Sequence, residues 1–270
     1  MPEKEIPLDK IITQGTVYKT ASREVLIIEE IGTNSTTIGN MSIDRKVTTY
    51  LRDLVGPMHT TTSNLLGPLD LKDLFLVVPP ETEFEWQGGS GTKARLLGRK
   101  QILAPGEKIS GELDARFKAQ VNSYKTTLEA TYSHGTDVAW PAGLEKEVLS
   151  LTPKTIEAYK FDDIIEVSIA NVSGGVAEGD WSITFYLDNN PIENIFGTNV
   201  KEGIDVLSMP RPPAGTTELE AFTLERFPIT VFGDHTLSIR CKNQSGASKS
   251  PTTGTSITVT VTAVARYAKT

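Results

Sequence analysis

Residues 254–270 read GTSITVTVTAVARYAKT, and this segment decides the fold class. From Ile257 the odd positions are Ile257, Val259, Val261, Ala263, Ala265 and Tyr267. The even positions are Thr258, Thr260, Thr262, Val264 and Arg266. Alternation of this kind is the signature of a β-strand with one buried face. The run covers roughly 11 or 12 residues, about twice the usual strand. Its last part, Ala263, Val264, Ala265, Arg266 and Tyr267, is therefore expected to overhang its own sandwich. It would either pair with the segment near 146–151 or serve as an assembly strand for a neighbouring subunit.

Period-2 alternation continues through most of the 270 residues, with little helical periodicity. In the first half it predicts strands at 15–19, 24–31, 46–51, 74–78, 94–103, 107–113, 116–124 and 127–133. Turn chemistry separates them: TNSTTIGN at 33–40, VPPETE at 78–83, QGGSGTK at 87–93 and APGEK at 104–108. One short helix is expected at 67–74, where Pro68 fits a first turn. In the second half, strands are predicted at 146–151, 164–172, 181–187, 217–224, 227–232, 235–241 and 256–267. The Pro-rich 208–218 between them reads as a loop. Short strands at such spacing imply sandwiches. The expectation is all-β: two β-sandwich domains, 1–140 jelly-roll-like and 146–270 immunoglobulin-like, joined through SHGTDVAWPAGLEKE at 133–147. Residues 1–12, charged and containing Pro2 and Pro7, read as an extended arm.

Three stretches of the second half carry a resemblance. IIEVSIANVSGGVAEGD (164–180) is a strand ending in an Asn turn and a Gly-rich hairpin. WSITFYLDNNPI (181–192) is a strand with an Asp-Asn-Asn turn, and FGDHTLSIRCKNQSGA (232–247) is a late strand entered through Gly-Asp. In this order they resemble the Ig-like, CARDB-like modules of prokaryotic surface and virion proteins. The resemblance covers about 80 residues and departs from the pattern at 193–207 and 208–214. It implies an adhesive or structural role and brings no catalytic residues.

Composition narrows the function. The apolar share of 38% and charged share of 23% are those of a soluble globular chain. A net charge of −7, without a Lys/Arg cluster, argues against nucleic acid as partner. A single cysteine, Cys241, excludes an intrachain disulfide and a multi-Cys zinc site. The N-terminus lacks the apolar core of a signal peptide, and no apolar run is long enough for membrane insertion.

Candidate chemistry fares poorly. GGSGTK at 88–93 departs from a phosphate loop because Thr92 separates Gly91 from Lys93. His59, His134 and His235 share no metal-binding spacing. Asp162 with Asp163, and Asp188 with Asn189 and Asn190, lack the spacing of a calcium loop and read as turn chemistry. The sequons at Asn34, Asn40, Asn171 and Asn243 are expected in a Ser/Thr-rich chain. Trp140 and Trp181 read as core, whereas Trp86, in EFEWQGGSG, is the surface residue expected to contact a ligand such as sugar.

These readings predict no catalytic, cofactor-binding or metal site. The expected function is that of a non-enzymatic virion structural protein of a phage or archaeal virus. It would be a capsid-associated, vertex, decoration or tail component, assembled in the host cytoplasm. Its expected partners are copies of itself and other virion proteins, with a host surface or glycan as a further contact. The rivals are a cell-envelope adhesion or carbohydrate-binding protein and a β-sandwich polysaccharide-active enzyme. A cleft with paired carboxylates would favour the enzyme.

Overall fold

The computed structural model describes residues 2–35, 37–51, 68–192, 203–208, 222–224 and 228–269. The described chain is all-β. In order it forms β1 (Lys4–Thr13), β2 (Tyr18–Lys19), β3 (Glu24–Thr33), β4 (Gly39–Ile43), β5 (Lys46–Leu51), β6 (Leu69–Asp70) and β7 (Leu76–Val78). There follow β8 (Glu83–Gln87), β9 (Lys93–Ile102), the helix α1 (Gly111–Ala119) and β10 (Ser123–Thr136). Then come β11 (Glu145–Leu151), β12 (Glu157–Ala170), β13 (Trp181–Leu187), β14 (Asn190–Pro191) and β15 (Ile204–Asp205). The last are β16 (Phe222–Thr223), β17 (Ile229–Phe232), β18 (Leu237–Asn243) and β19 (Ser256–Lys269).

Two compact units result. The first takes residues 1–127, 213–218 and 266–270, and the second takes 128–212 and 219–265. The division falls inside β10, between Thr127 and Leu128, and not in the Gly- and Pro-containing 133–147. A continuous strand can serve two cores, so turn-forming composition was a poor guide to the boundary.

In the first unit one sheet runs β1-β9-β3-β6, with β7 also on β3. Strand β3 is covered on both faces, which explains its unbroken apolar run Val25-Leu26-Ile27-Ile28. Val25 and Ile27 cluster with Val77 and Leu103, and Leu113 and Phe117 of α1 pack onto that cluster. A bulge between Ile28 and Glu30 faces Gly98, whose φ of +149° and proximity to the Ile27 carbonyl leave no room for a Cβ. In the unit's other sheet β5, β4, β8 and β2 are neighbours in that order, and Thr126 of β10 pairs in parallel with Tyr50 of β5.

Helix α1 replaces strands predicted at 107–113 and 116–124. Ser110 caps it, its side chain accepting from the Leu113 amide at 3.3 Å. Acids Glu112 and Asp114 occupy its first turn, and Arg116 and Lys118 its last, complementing the helix dipole. Leu113 and Phe117, four residues apart, share one face. The arm expected at 1–12 is largely β1, paired with β9 from Lys4↔Ile102 to Thr13↔Lys93. The helix expected at 67–74 is only a 3-10 turn at Lys72–Leu74, and residue 67 lies outside the described residues.

The second unit is a sandwich. One sheet runs β11-β18-β13-β14, with β15 on β13. The other places β19 next to β12, with β16 and β17 on β12. Inward residues of both sheets meet in one core that includes Phe161, Ile183, Phe185, Leu237, Ile239, Ile257, Val259 and Val261. The predicted strand 217–224 and loop 208–218 lie mostly outside the described residues.

Among the described residues, three edge strands are short or interrupted. β1 contains Pro7, β11 is bulged between Glu147 and Leu149, and β17 has 4 residues.

Candidate functional site

Trp86 is not a surface platform. It lies on β8 with its side chain fully buried. Its Nε1 donates to Thr92 Oγ1 at 3.0 Å, and Thr92 Oγ1 donates to the Gly89 carbonyl at 2.6 Å. Gly39 and Gly88 flank the indole. A Cβ at Gly39 would stand 2.5 Å from Trp86 Cζ2, and one at Gly88 would stand 2.5 Å from Nε1. The Gly-rich 87–93 loop therefore encloses a ring and does not cradle a phosphate. Sequence showed the glycines and the tryptophan, but their alternation in EFEWQ places Phe84 and Trp86 together on the inner face.

Strand β8 also contributes Glu83, Phe84 and Glu85 to a cleft of about 490 Å³ that Val17, Ser42 and Arg45 complete. Glu83 and Glu85, alternate residues on one strand, are the paired carboxylates that could favour an enzyme. Glu83 faces Arg45 at 3.5 Å, with the two side chains 44% and 85% exposed. Glu85 accepts from Gln87 Nε2. A general acid needs a carboxyl shielded from water, and Glu83 stands in solvent beside a cation. The pair reads as a solvated sheet face.

The five candidate assembly residues divide between the units. Ala263 and Ala265 belong to the second unit's core, and Val264, of the same unit, is also buried. Arg266 and Tyr267 belong to the first. There the Tyr267 ring lies 4.8 Å from Tyr124, which lies 6.3 Å from Tyr50. Arg266 Nη1 meets Asp73 Oδ1 at 2.7 Å, and the Lys269 amide donates to the Asn122 carbonyl at 2.8 Å. The pairing with 146–151 expected from the sequence does not form. β11 pairs with β18.

The remaining polar candidates are engaged structurally. His134 stacks on Trp140 at 4.7 Å. Its Nε2 lies 3.2 Å from the Ala139 carbonyl and its Nδ1 lies 3.2 Å from the Tyr132 hydroxyl. Trp140 meets Trp181 edge to face at 5.0 Å. His235 Nδ1 lies 2.6 Å from Asp188 Oδ2, and Asp188 Oδ1 also accepts from the Thr236 amide. The Thr236 amide and the His235 ring hold the Asp188 carboxyl below its ordinary value. Asn189 accepts from Arg240 Nη2 at 2.6 Å, so this turn's oxygens are engaged with protein groups. Asp162 and Asp163 are consecutive in β12 and point to opposite faces. His59 lies outside the described residues. Among the described residues no group of three His, Cys, Asp or Glu is placed to hold a metal ion.

The sequon asparagines also serve the fold. Asn243 is fully buried, and its Nδ2 donates to the Trp140 and Ala247 carbonyls. Asn34 Oδ1 accepts from the Lys93 amide, and Asn171 Nδ2 donates to the Ser256 carbonyl. Asn40 lies on β4 opposite Gln87. Cys241 is buried, which pushes its thiol well above the ordinary range.

No family model matches the chain, and no curated protein matches it. Among solved structures, a quasi-atomic model of the PBCV-1 virus capsid is similar at 13% identity and a TM-score of 0.32, covering 99% of this chain and 96% of that one. The crystal structure of BuGH86wt in complex with neoagarooctaose is similar at 8% identity and a TM-score of 0.21, covering 94% of this chain and 34% of that one. Likenesses this distant leave the chain without an assigned family.

Proposed function

We propose that this chain is a non-enzymatic structural protein of a virus particle, working through contacts with copies of itself and with other particle proteins. The observation that carries this reading is the use of β19. This 14-residue strand supplies core residues to the second unit and, through Tyr267, a buried ring to the first. A strand used in this way makes a scaffold. The burial of Trp86 weighs against the sugar-binding rival, because stacking on a sugar needs an exposed ring. The exposure of Glu83 weighs against the polysaccharide-active rival. Among the described residues no helix is long and apolar enough to cross a membrane.

Size-exclusion chromatography with light scattering, followed by electron microscopy, tests the proposal. Discrete symmetric oligomers or particles are expected. A stable monomer that binds glycans on an array would overturn it.

A further inference from the structure

β4 and β8 pair as Asn40↔Gln87, Met41↔Trp86 and Ser42↔Glu85, and directly opposed residues share a face. Met41 and Trp86 are fully buried, so Asn40, Ser42 and Glu85 stand on the opposite face of the sheet. Glu83, two residues before Glu85 in β8, joins them there. Ser42 is 3% exposed and lines the cleft, yet among the described residues its hydroxyl makes no hydrogen bond. Asn40 Oδ1, one pair further along, is also buried and has no hydrogen-bond partner among the described residues. Glu85 accepts from Gln87 Nε2 through Oε1, and Glu83 faces Arg45 at 3.5 Å. Oxygens without donors thus gather on this side of the sheet.

We propose that the cleft beside Ser42 and Glu85 binds a primary alkylammonium group, carried by a free amine or by a lysine side chain. Such a group offers what these oxygens lack: three N–H donors, no acceptor and a positive charge. The ammonium donates to the Glu85 carboxylate and to Ser42 Oγ, while Arg45 occupies Glu83. Val17, 56% exposed and part of the same cleft, gives the alkyl stem an apolar wall. The volume of about 490 Å³ lies in the range of small-ligand sites. A carboxylate pair too exposed for acid catalysis still holds a cation through charge-assisted hydrogen bonds. This binding is independent of the particle role proposed above.

The test titrates the isotope-labelled full chain with cadaverine and, separately, with Nα-acetyl-lysine methylamide, and follows amide NMR shifts. The Ser42 and Glu85 amides should shift saturably, with a dissociation constant of about 1–10 mM. Glu85→Gln should weaken binding about fivefold or more, and a neutral diol of cadaverine's length should not bind. Tighter binding of the lysine derivative assigns the cleft to a partner protein's side chain, and tighter cadaverine binding assigns it to a free amine. Either result upholds the alkylammonium site. No saturation of either amine by about 50 mM overturns it. Undiminished binding by Glu85→Gln also overturns it, leaving only diffuse attraction to a chain of net charge −7. Calcium that binds at the same amides about tenfold more tightly overturns it too, because the oxygens then serve a metal ion. If Glu85→Gln loses the dispersed spectrum of the folded chain, Ser42→Ala decides. A weakening of about threefold is then expected, and unchanged binding overturns the proposal.

Discussion

Trp86 Nε1 and Thr92 Oγ1 stand 3.0 Å apart, and that bond ties the Gly-rich loop after β8 to the ring it surrounds. The two glycines against the ring leave no space for a methyl group. Gly88→Ala and Gly39→Ala should each destabilise the fold by about 1–3 kcal/mol through overpacking. Gly91 provides the control. It has a φ of +76° and open space around its Cα, so Gly91→Ala meets only backbone strain of about 1 kcal/mol. Chemical denaturation should rank Gly88→Ala as the costlier change, and the reverse order would mean that the ring does not need the glycines.

Each of the three tryptophans is at most 1% exposed. Their emission should resist acrylamide quenching and should not respond to oligosaccharides. A saccharide-dependent change that disappears in Trp86→Phe would restore Trp86 as a ligand contact.

Gln120 is 1% exposed and copies a neighbouring strand. Its Oε1 accepts from the Val77 amide at 2.9 Å, and its Nε2 donates to the Val77 carbonyl at 3.1 Å. Gln120→Ala leaves both backbone groups without these partners, at a cost of about 2–4 kcal/mol. Urea unfolding should show the loss, and Gln120→Glu should recover little of it, because a carboxylate cannot donate to the carbonyl.

Asp180 carries an acid dependence. Burial raises its pKa, but the Lys249 ammonium, 2.7 Å away, and the Ala177 amide outweigh burial and hold it below the ordinary 3.8. A carboxyl depressed in the folded state stabilises above its unfolded value and loses that contribution as pH falls through the folded value. Asp180→Asn should therefore cost about 1–2 kcal/mol near neutral pH. The gap between Asp180→Asn and the unaltered protein should begin to close below about pH 4 and vanish only once pH has fallen through the depressed folded-state value. A gap that persists in acid would assign the effect to packing.

Tyr267 and Arg266 should separate packing from charge. Tyr267 is 8% exposed, so Tyr267→Ala should cost about 3 kcal/mol and loosen hydrogen exchange at Tyr50 and Tyr124. Arg266→Ala should cost less than about 1 kcal/mol, because its partner Asp73 has a side chain 70% exposed.

Where apolar alternation was strong, the sequence predicted the strands closely. β5 and β13 occupy the predicted 46–51 and 181–187, and β19 runs two residues beyond 256–267. β1 was missed because Pro7 and the charges at Lys4, Glu5, Asp9 and Lys10 resemble a solvated arm. Among the described strands it pairs with β9 alone, and an edge position tolerates both. α1 was missed because ISGEL and RFKAQV can be read at either period. The cap Ser110 and the charge order along 112–118 were the signals to weigh. At the candidate site, sequence showed the residue types around Trp86 but could not show which face of β8 the cleft would use. That depends on long-range pairing, Met41↔Trp86 above all.

Pro7 stands near the middle of β1, which among the described residues is an edge of the sheet β1-β9-β3-β6. A fibril grows only where each added strand finds an unbroken row of donors and acceptors, and a proline interrupts that row for every arriving copy. At high protein concentration this ladder should therefore stay closed to runaway strand stacking.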